Sequence, residues 1–379
     1  MNVVQTVITA RTDLAQALVP LIASAPQLVL VFGAVPYFAT PALATLLRQS
    51  MPQALLAGCS TAGEIAGDVF HDGQCVVTAI TFRDTPLRAA TTVIGGMPDS
   101  ADAGRRLAAL LPHADLSAVL LFGTGVGING SALAHGLQKG LPTGVGVSGG
   151  LAADGGAFRQ TWTLGPEGAA DDQIVAIGLY GEQVALGYGS DAGWEAFGPA
   201  RRVTRAEDNV LFELDGERAL DVYKRYLGAY AKDLPGSGLL FPFEMLGAAH
   251  EDSGVIRTIL GVDEASGSLT LAGNVDPDGY LRLMHSSTEK LIDAAERAAV
   301  SAGAGRRHGD ALAILISCIG RKLVMGDRVE EELEAVADTL GTGTTLSGFY
   351  SNGEIGPTHA QGGCNLHNQT MTITILSEA

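Results

Sequence analysis

The amino-acid sequence predicts an α/β protein of two related halves, with mixed sheets flanked by helices and a ligand site near the interface of the halves. Short apolar runs alternate with segments of helical periodicity, which is typical of sheets covered by helices. The 50 glycines cluster after the apolar runs, where turns and ligand-approaching loops need a residue without Cβ. One turn motif also occurs in both halves of the chain.

The first half alternates strands and helices. Short apolar stretches predict buried strands at residues 27–33 and 118–122. Apolar residues at helical spacing predict helices at 105–111 and 132–141. A charged segment at 203–209 then interrupts the pattern, so we place the domain boundary there and predict domains at 1–205 and 206–379.

The second half begins with a predicted amphipathic helix over 215–234, which Pro235 and Gly236 end. The remaining elements follow the same rules of periodicity, capping and turn composition. They are strands at 255–262 and 268–275, a helix from 287 to about 302, a strand at 311–317, an acidic helix at 330–340 and a strand at 371–376.

The repeated turn has the pattern G-x4-G-E-I. It occurs at 58–65 (GCSTAGEI) and at 348–355 (GFYSNGEI), and each copy is followed by a histidine, a glycine turn, a cysteine and a strand with alternating threonines. The repeat predicts that the two halves share a supersecondary unit, although glycine-rich turns can coincide by chance. Related halves commonly meet at a cleft, and such clefts bind small ligands.

Composition excludes several classes of protein. The net charge of −17 argues against sequence-independent nucleic-acid binding and against anionic membranes, since both need clustered Lys and Arg. The N-terminal segment has no basic region followed by an apolar one, and no apolar run approaches the ~18 residues that span a bilayer. The four cysteines form no CxxC pair and are expected to be free thiols in the cytoplasm.

Three enzyme-like motifs have simpler explanations. The G-x-G-x-x-G at 125–130 lacks the downstream acid of a dinucleotide site, which favours a tight turn. Ser148 lies in G-x-S-x-G, but the glycine-rich turn after it does not fit the helix of a nucleophile elbow, and nothing positions His250 as its base. Cys59 has acidic rather than basic neighbours in the sequence, so a structural thiol is favoured. We therefore expect no enzyme activity.

Sequence motifs at both ends of the chain resemble the FIST domains. Segments 317–321 (SCIGR), 346–357 (LSGFYSNGEIGP) and 366–376 (LHNQTMTITIL) resemble the C-terminal FIST domain, whereas 57–65 (AGCSTAGEI) and 146–156 (GVSGGLAADGG) resemble the N-terminal one. The resemblance implies a stand-alone sensory module that binds small ligands, for which amino acids have been suggested. A subset of such proteins binds haem, senses nitric oxide and regulates a partner histidine kinase or cyclic-di-GMP signalling.

The leading prediction from this resemblance is a haem-based nitric oxide sensor that regulates such a partner. A single axial histidine leaves no spacing signature, so His285, His250 and His359 all remain candidates, one at most being the ligand. His359, Cys364 and His367 lie close in sequence, but they lack the fourth ligand and the spacing of a zinc site.

The alternative prediction is a sensor without haem for an amino acid or another small metabolite. Arg321 or Arg257 would hold a carboxylate, and Glu354 or Glu64 would accept hydrogen bonds from an ammonium group. A structural role for the glutamates, capping backbone N–H groups in the repeated turn, is the competing interpretation. The complete candidate set is Ser60, Glu64, Arg257, Arg321, Tyr350, Ser351 and Glu354.

Overall fold

The computed structural model describes residues 1–305, 309–357 and 363–378. These residues form three six-stranded mixed sheets and a fourth sheet of eight strands, with helices packed against the six-stranded sheets. The predicted α/β class, with mixed sheets and flanking helices, is confirmed. No helix in the described ranges is both long and apolar enough to cross a membrane.

The first 81 residues form one structural unit. Its elements are β1 (Asn2–Ile8), α1 (Leu14–Ala17), α2 (Val19–Ala23), β2 (Leu28–Gly33), α3 (Ala42–Ser50), β3 (Leu55–Ser60), β4 (Glu64–Ala66), β5 (Val69–His71) and β6 (Cys75–Thr81). Strands β2 and β3 are parallel and joined through α3, whereas β6 and then β1 add to β2 in the antiparallel sense.

The second unit repeats this order. Its elements are β7 (Leu87–Val93), α4 (Ser100–Leu110), β8 (Leu116–Gly123), α5 (Gly130–Gly140), β9 (Gly146–Leu151), β10 (Thr163–Gly165), β11 (Gly168–Ala170) and β12 (Gln173–Tyr180). Here β8 and β9 are the parallel pair, and β12 and then β7 extend the sheet.

A third unit with the same order is interrupted after its first strand, β13 (Val184–Asp191), by the fourth sheet. We call the interrupting segment, 195–285, the inserted domain. Its elements are β14 (Glu195–Glu207), β15 (Val210–Leu214), β16 (Glu217–Arg218), α6 (Ala219–Leu227), β17 (Phe243–Leu246), β18 (Asp252–Arg257), β19 (Ile259–Asp263), β20 (Ser268–Leu271) and β21 (Tyr280–His285).

The third unit then resumes. Its elements are α7 (Thr288–Gly303), β22 (Ala311–Cys318), α8 (Ile319–Met325), α9 (Glu330–Leu340), β23 (Thr344–Ser351), β24 (Gly353–Pro357), β25 (Cys364–His367) and β26 (Met371–Glu378). Strands β22 and β23 are parallel, and β26 and β13 extend the sheet. The repeat that the sequence predicts in two copies therefore extends to three.

The three sheets exchange hairpins in a closed cycle. The sheet orders are β1-β6-β2-β3-β10-β11, β7-β12-β8-β9-β24-β25 and β13-β26-β22-β23-β4-β5. The hairpin that follows each parallel pair thus completes the sheet of another unit: the first unit extends the third, the third extends the second, and the second extends the first. Each sheet is incomplete without a neighbouring unit.

The core lies on both faces of the parallel strands, which explains why these strands are continuous apolar runs. In β2, Val29 and Val31 pack against the helices of the first unit, whereas Leu30 and Phe32 face a central core shared by all three sheets. The Phe32 ring lies 5.7 Å from the ring of Phe122 and 4.7 Å from that of Phe349, measured between centroids. The central core therefore joins the three units.

Several predicted elements differ in extent. The helix predicted over 215–234 is α-helical only to Leu227, because Gly228 has a φ of 55° and starts a 3-10 segment, Gly228–Asp233. The strand predicted at 255–262 is divided between β18 and β19 at Thr258. The acidic helix at Glu330–Leu340 is confirmed. The predicted domain boundary, between 205 and 206, falls inside β14.

Candidate functional site

The repeated turn occurs three times and forms an interlocked ring. The copies at 58–65 and 348–355 are joined by 149–156, where Gly149 has a φ of 152°, like Gly58 with 151°. The fifth residue of each turn donates its N–H to the carbonyl of the third residue of another turn. These bonds run from Ala62 to Tyr350 (2.8 Å), from Ala153 to Ser60 (2.8 Å) and from Asn352 to Leu151 (3.3 Å).

The two motif glutamates, Glu64 and Glu354, accept hydrogen bonds from residues in and just after their own turns. Glu64 accepts from the Thr61 hydroxyl and from the backbone N–H of Gln74, and Glu354 accepts in the same way from Ser351 and from Thr370. Both carboxyls are buried, and this burial raises the pKa of each to about 7. The geometry is that of a cap for the repeated turn, which is the competing interpretation of the sequence.

Ser60 and Ser351 are likewise engaged within the turns. The Ser60 hydroxyl donates to the carbonyl of Ala153 at 2.7 Å and accepts from the N–H of Trp162 at 2.9 Å. Ser351 donates to Glu354 at 2.6 Å, and both side chains are fully buried. These two serines therefore hold the ring of turns together.

Arg321 lies in a separate buried network. Its Nε and Nη2 donate to Glu332 on α9, and its other hydrogen bonds reach the carbonyls of Ala192 and Leu291. Tyr350 and Ser317 donate to the second oxygen of the same Glu332 carboxylate, at 2.6 and 3.1 Å. The structure thus brings the predicted residues Arg321 and Tyr350 together, but both bind the carboxylate of Glu332 and not a ligand.

Arg257 is also buried, but unlike Arg321 it has no carboxylate partner among the described residues. It ends β18 in the inserted domain, and its side chain donates only to neutral oxygens: the carbonyls of Asn274, Ile256 and Leu366 and the hydroxyl of Ser131. No carboxylate in the described ranges forms an ion pair with it, and burial lowers its pKa to about 10. A buried cation without a counter-charge is costly, so this side chain is suited to an anionic ligand.

The surroundings of Arg257 also favour an anion. Ser131, whose hydroxyl lies 3.2 Å from Nη2, is the second residue of α5. The N-terminal end of a helix carries a partial positive charge, which stabilises anions and disfavours a bare arginine. Asn129 caps α5 through the N–H of Ala132 and also bonds Asn274 of the inserted domain at 2.6 Å.

The glycine-rich loop at 124–130 leads into Ser131, and its first residues lie beside a second, separate set of polar groups. Asn352 donates to the carbonyl of Gly125 at 3.3 Å, while its own Oδ1 has no partner among the described residues. The Thr124 hydroxyl and Oδ1 of Asn368 are buried and equally without a described partner. We call Arg257, Ser131 and Asn274 the Arg257 site.

Of the residues in this site, only Arg257 is predicted from the sequence. Ser131 and Thr124 flank the G-x-G-x-x-G motif, which was assigned to a tight turn, and that assignment is correct for part of it: a Cβ on Gly125 would lie 1.7 Å from the carbonyl oxygen of Ala152. Gly130 begins α5 but faces the side chains of Leu366 and Leu151, not an open crevice. The motif is the sequence signal closest to Ser131.

Two of the three candidate haem ligands, His250 and His285, lie at the surface. His250 is exposed and stacks on Tyr280 at 3.8 Å, and His285 is exposed beside Phe197 at 5.4 Å, so neither lies in an apolar cavity able to cover a macrocycle. His359 lies outside the described residues. Within the described ranges, no three His, Cys, Asp or Glu side chains cluster as metal ligands would.

The enzyme-like motifs are structural in their described surroundings. Ser148 is a buried residue within β9, not the start of a helix. Cys59 is buried in β3, and this burial raises the pKa of its thiol well above the usual value. Neither position has the geometry of an activated nucleophile.

Comparison with known proteins identifies the family. Residues 27–217 match the FIST N domain and residues 219–357 match the FIST C domain. A search of curated proteins finds no match. A solved cyanuric acid hydrolase from A. caulinodans aligns with 100% of this chain and 99% of its own at 12% identity, but the TM-score of 0.33 is too low to support any inference. FIST domains are sensory, ligand-binding domains of signalling proteins rather than catalytic ones, and this chain belongs to the FIST family.

Proposed function

We propose that this protein is a sensor for a small carboxylate, bound at the Arg257 site. The observation that carries the proposal is the buried guanidinium of Arg257, which lacks a carboxylate partner, whereas that of Arg321 is neutralised by Glu332. Of the two arginines considered from the sequence, Arg257 is therefore the one available to a ligand. Ser131 and Asn274 are partly exposed, so the edge of the site is open to solvent.

The site also suggests how binding is transmitted. Arg257 belongs to the inserted domain, whereas its partners Ser131 and Leu366 belong to α5 and β25 of the three-unit body. A ligand bound between them changes the contact between the two parts. We propose that a partner, such as a histidine kinase or a cyclic-di-GMP enzyme, recognises this change, because a sensor needs two states that differ in ligand affinity.

Ser131→Asp is the sharpest test of the site. An aspartate at the second position of α5 is favourable to the helix and places a carboxylate beside Arg257, so the protein supplies its own anion. We expect a higher melting temperature without ligand and loss of carboxylate binding in isothermal titration calorimetry. Ser131→Asn, which has the same size without the charge, should retain binding.

A panel of small amino, hydroxy and keto acids supplies the ligands for this titration. If carboxylates bind the Ser131→Asp variant as tightly as the unchanged protein, or if none binds the unchanged protein, the Arg257 site is not the sensory site. Arg282→Gln is a matched control, because Arg282 is a partly exposed arginine of the inserted domain that pairs with Glu244.

The haem-based nitric oxide sensor remains a second candidate from the family resemblance. His250 and His285 do not favour it, and His359 is outside the described residues. Titration with haemin, followed by absorption spectroscopy with and without nitric oxide, separates the candidates. A Soret band that shifts with nitric oxide and is lost in His359→Ala would support haem over the carboxylate.

A further inference from the structure

Two depressions join on the surface of the first unit, at the end opposite the ring of turns. The first, of about 580 Å³, lies beside the C-terminal half of α3, and the second, of about 470 Å³, lies where β6 leads into β7. Gln53 and Leu55 line both, so the depressions form one elongated groove. We call it the basic groove and define it by Arg48, Gln53, Leu55, Arg83 and Arg88.

Three arginines line the basic groove against one acid, Asp84. Arg48 donates to the backbone carbonyl of Glu167 at 2.8 Å, and Arg88 donates to that of Leu87 at 2.9 Å. Both arginines are exposed, and neither forms an ion pair with the part of the chain that the structure describes. The net charge of the chain is −17, so the groove is a positive surface on an acidic protein.

Arg83 is the third cation of the groove, and its side chain is 63% exposed. Glu378 lies 3.9 Å from its Nε, beyond hydrogen-bond distance. The carboxylate of Glu378 is instead held by the backbone N–H groups of Arg83 and Asp84 and by the hydroxyl of Thr85. The guanidinium of Arg83 therefore keeps its donors available, and a guanidinium binds a carboxylate through two parallel hydrogen bonds.

The walls of the groove are restricted in conformation. Pro52 and Pro166 line the first depression and Pro86 lines the second, and the ring of each proline fixes its φ. A preformed surface loses less entropy on binding than a flexible one. The exposed amide of Gln53, at the junction, can bond to the backbone of a bound chain.

We propose that the basic groove is a docking surface for an extended acidic segment of a protein partner. Arg48 lines only the first depression, whereas Arg83 and Arg88 line only the second. An occupant that reaches all three must carry carboxylates at separate positions along its length, which an extended peptide does and a single small anion does not. Charges that complement each other in this way favour association and select the partner.

The docking surface is separate from the ligand site, so this inference goes beyond the proposed function. Leu55 begins β3, whereas the ring of turns lies at the other end of that strand. The Arg257 site lies at the N-terminal end of α5, which follows the far end of the parallel strand β8. We therefore expect the peptide to bind whether or not the Arg257 site is occupied.

Fluorescence anisotropy with a labelled peptide of alternating glutamate and serine residues tests the docking surface. We expect binding at low ionic strength that weakens as salt is added. Arg48→Glu combined with Arg88→Glu should weaken it by at least about tenfold. Arg11→Glu combined with Arg159→Glu is the matched control, because these exposed arginines lie outside the groove and the change in net charge is the same. Circular dichroism checks that both variants fold.

Four results would overturn the proposal. They are absence of peptide binding at low ionic strength, equal weakening in the two double variants, binding of a labelled oligothymidylate as tight as that of the peptide, and loss of peptide binding in Ser131→Asp. The third would indicate a nucleic-acid surface, and the fourth would place the peptide at the Arg257 site. The first three leave the carboxylate titration of the Arg257 site unaffected, so the proposed function stands or fails separately.

Discussion

Arg321 and Glu332 form a fully buried ion pair, in which Nη2 lies 2.7 Å from Oε2. The pair is surrounded by donors and acceptors that complete it: Tyr350 and Ser317 on one side, and the carbonyls of Ala192 and Leu291 on the other. A charge in such a place is stable only while its partner is present.

Glu332→Gln should therefore destabilise the protein strongly, by about 3–5 kcal/mol, because it leaves Arg321 buried without its counter-charge. Urea denaturation followed by circular dichroism measures the change. Glu331→Gln is the control on the same helix: Glu331 pairs with Arg328 at the surface, where solvent screens the pair, and its loss should change stability little. Similar losses in the two variants would contradict the structural role assigned to Arg321.

Gly149→Ala should disrupt the ring of turns. A Cβ at this position would lie 1.8 Å from the carbonyl oxygen of Leu121, and the φ of 152° is unfavourable for alanine, so we expect a loss above about 3 kcal/mol. Gly146→Ala in the same strand is the control, because its Cβ would meet open space. Thermal unfolding of both variants checks the prediction, and a stable Gly149→Ala protein would argue against the close approach.

Stability should depend on pH through Glu354. Its pKa is about 7 in the folded protein and near the ordinary value of 4.5 when unfolded, so the folded state binds more protons between these values. The stabilising contribution is complete below pH 4.5 and is lost as the pH rises through 7. Relative to Glu354→Gln, the unchanged protein should lose up to about 3 kcal/mol between pH 4.5 and 8.

Denaturant titrations of both proteins across this range measure that difference. Glu64→Gln should behave in the same way, since burial also raises the pKa of Glu64 to about 7. Glu331→Gln should show the opposite sign, because the hydrogen bond from Arg328 lowers the pKa of Glu331. A difference that stays constant with pH would show that Glu354 is ionised in the folded protein throughout.

The four cysteines should be slow to react in the native protein. All are free and buried, and burial raises the pKa of Cys364 to about 12, so little thiolate forms at neutral pH. Ellman's reagent should label the protein slowly when native and label four thiols when unfolded. Rapid native labelling that disappears in Cys59→Ala would instead indicate an activated thiol.

The sequence was sufficient to predict the fold class and two copies of the repeat, because both depend on local patterns. The third copy was missed because Leu151 and Gly155 stand where the first copy has Ser60 and Glu64, so that the G-E-I ending of the pattern is absent from it. The inserted domain was missed because nothing in its strands shows that they separate β13 from the rest of its unit.

The site was harder to predict, since it depends on contacts between distant residues. Arg321 and Arg257 are equivalent candidates in the sequence, and only the fold shows that Glu332 neutralises the first. Ser131 is 126 residues from Arg257 in the chain. The charge of the site therefore depends on a contact that only the folded protein shows. Periodicity and motif spacing contain no information on such pairs.

The cyclic exchange of hairpins has a consequence for synthesis. Strand β4 of the first unit pairs with β23, so the ribosome must synthesise the chain as far as Thr344–Ser351 before that hairpin can pair. The second hairpin, β10–β11, can join the first sheet much earlier, whereas β24 can join the second sheet only after the third unit has been synthesised. Newly made chains therefore carry unpaired sheet edges until β23 and β24 have been synthesised, and such edges are sites where aggregation can begin.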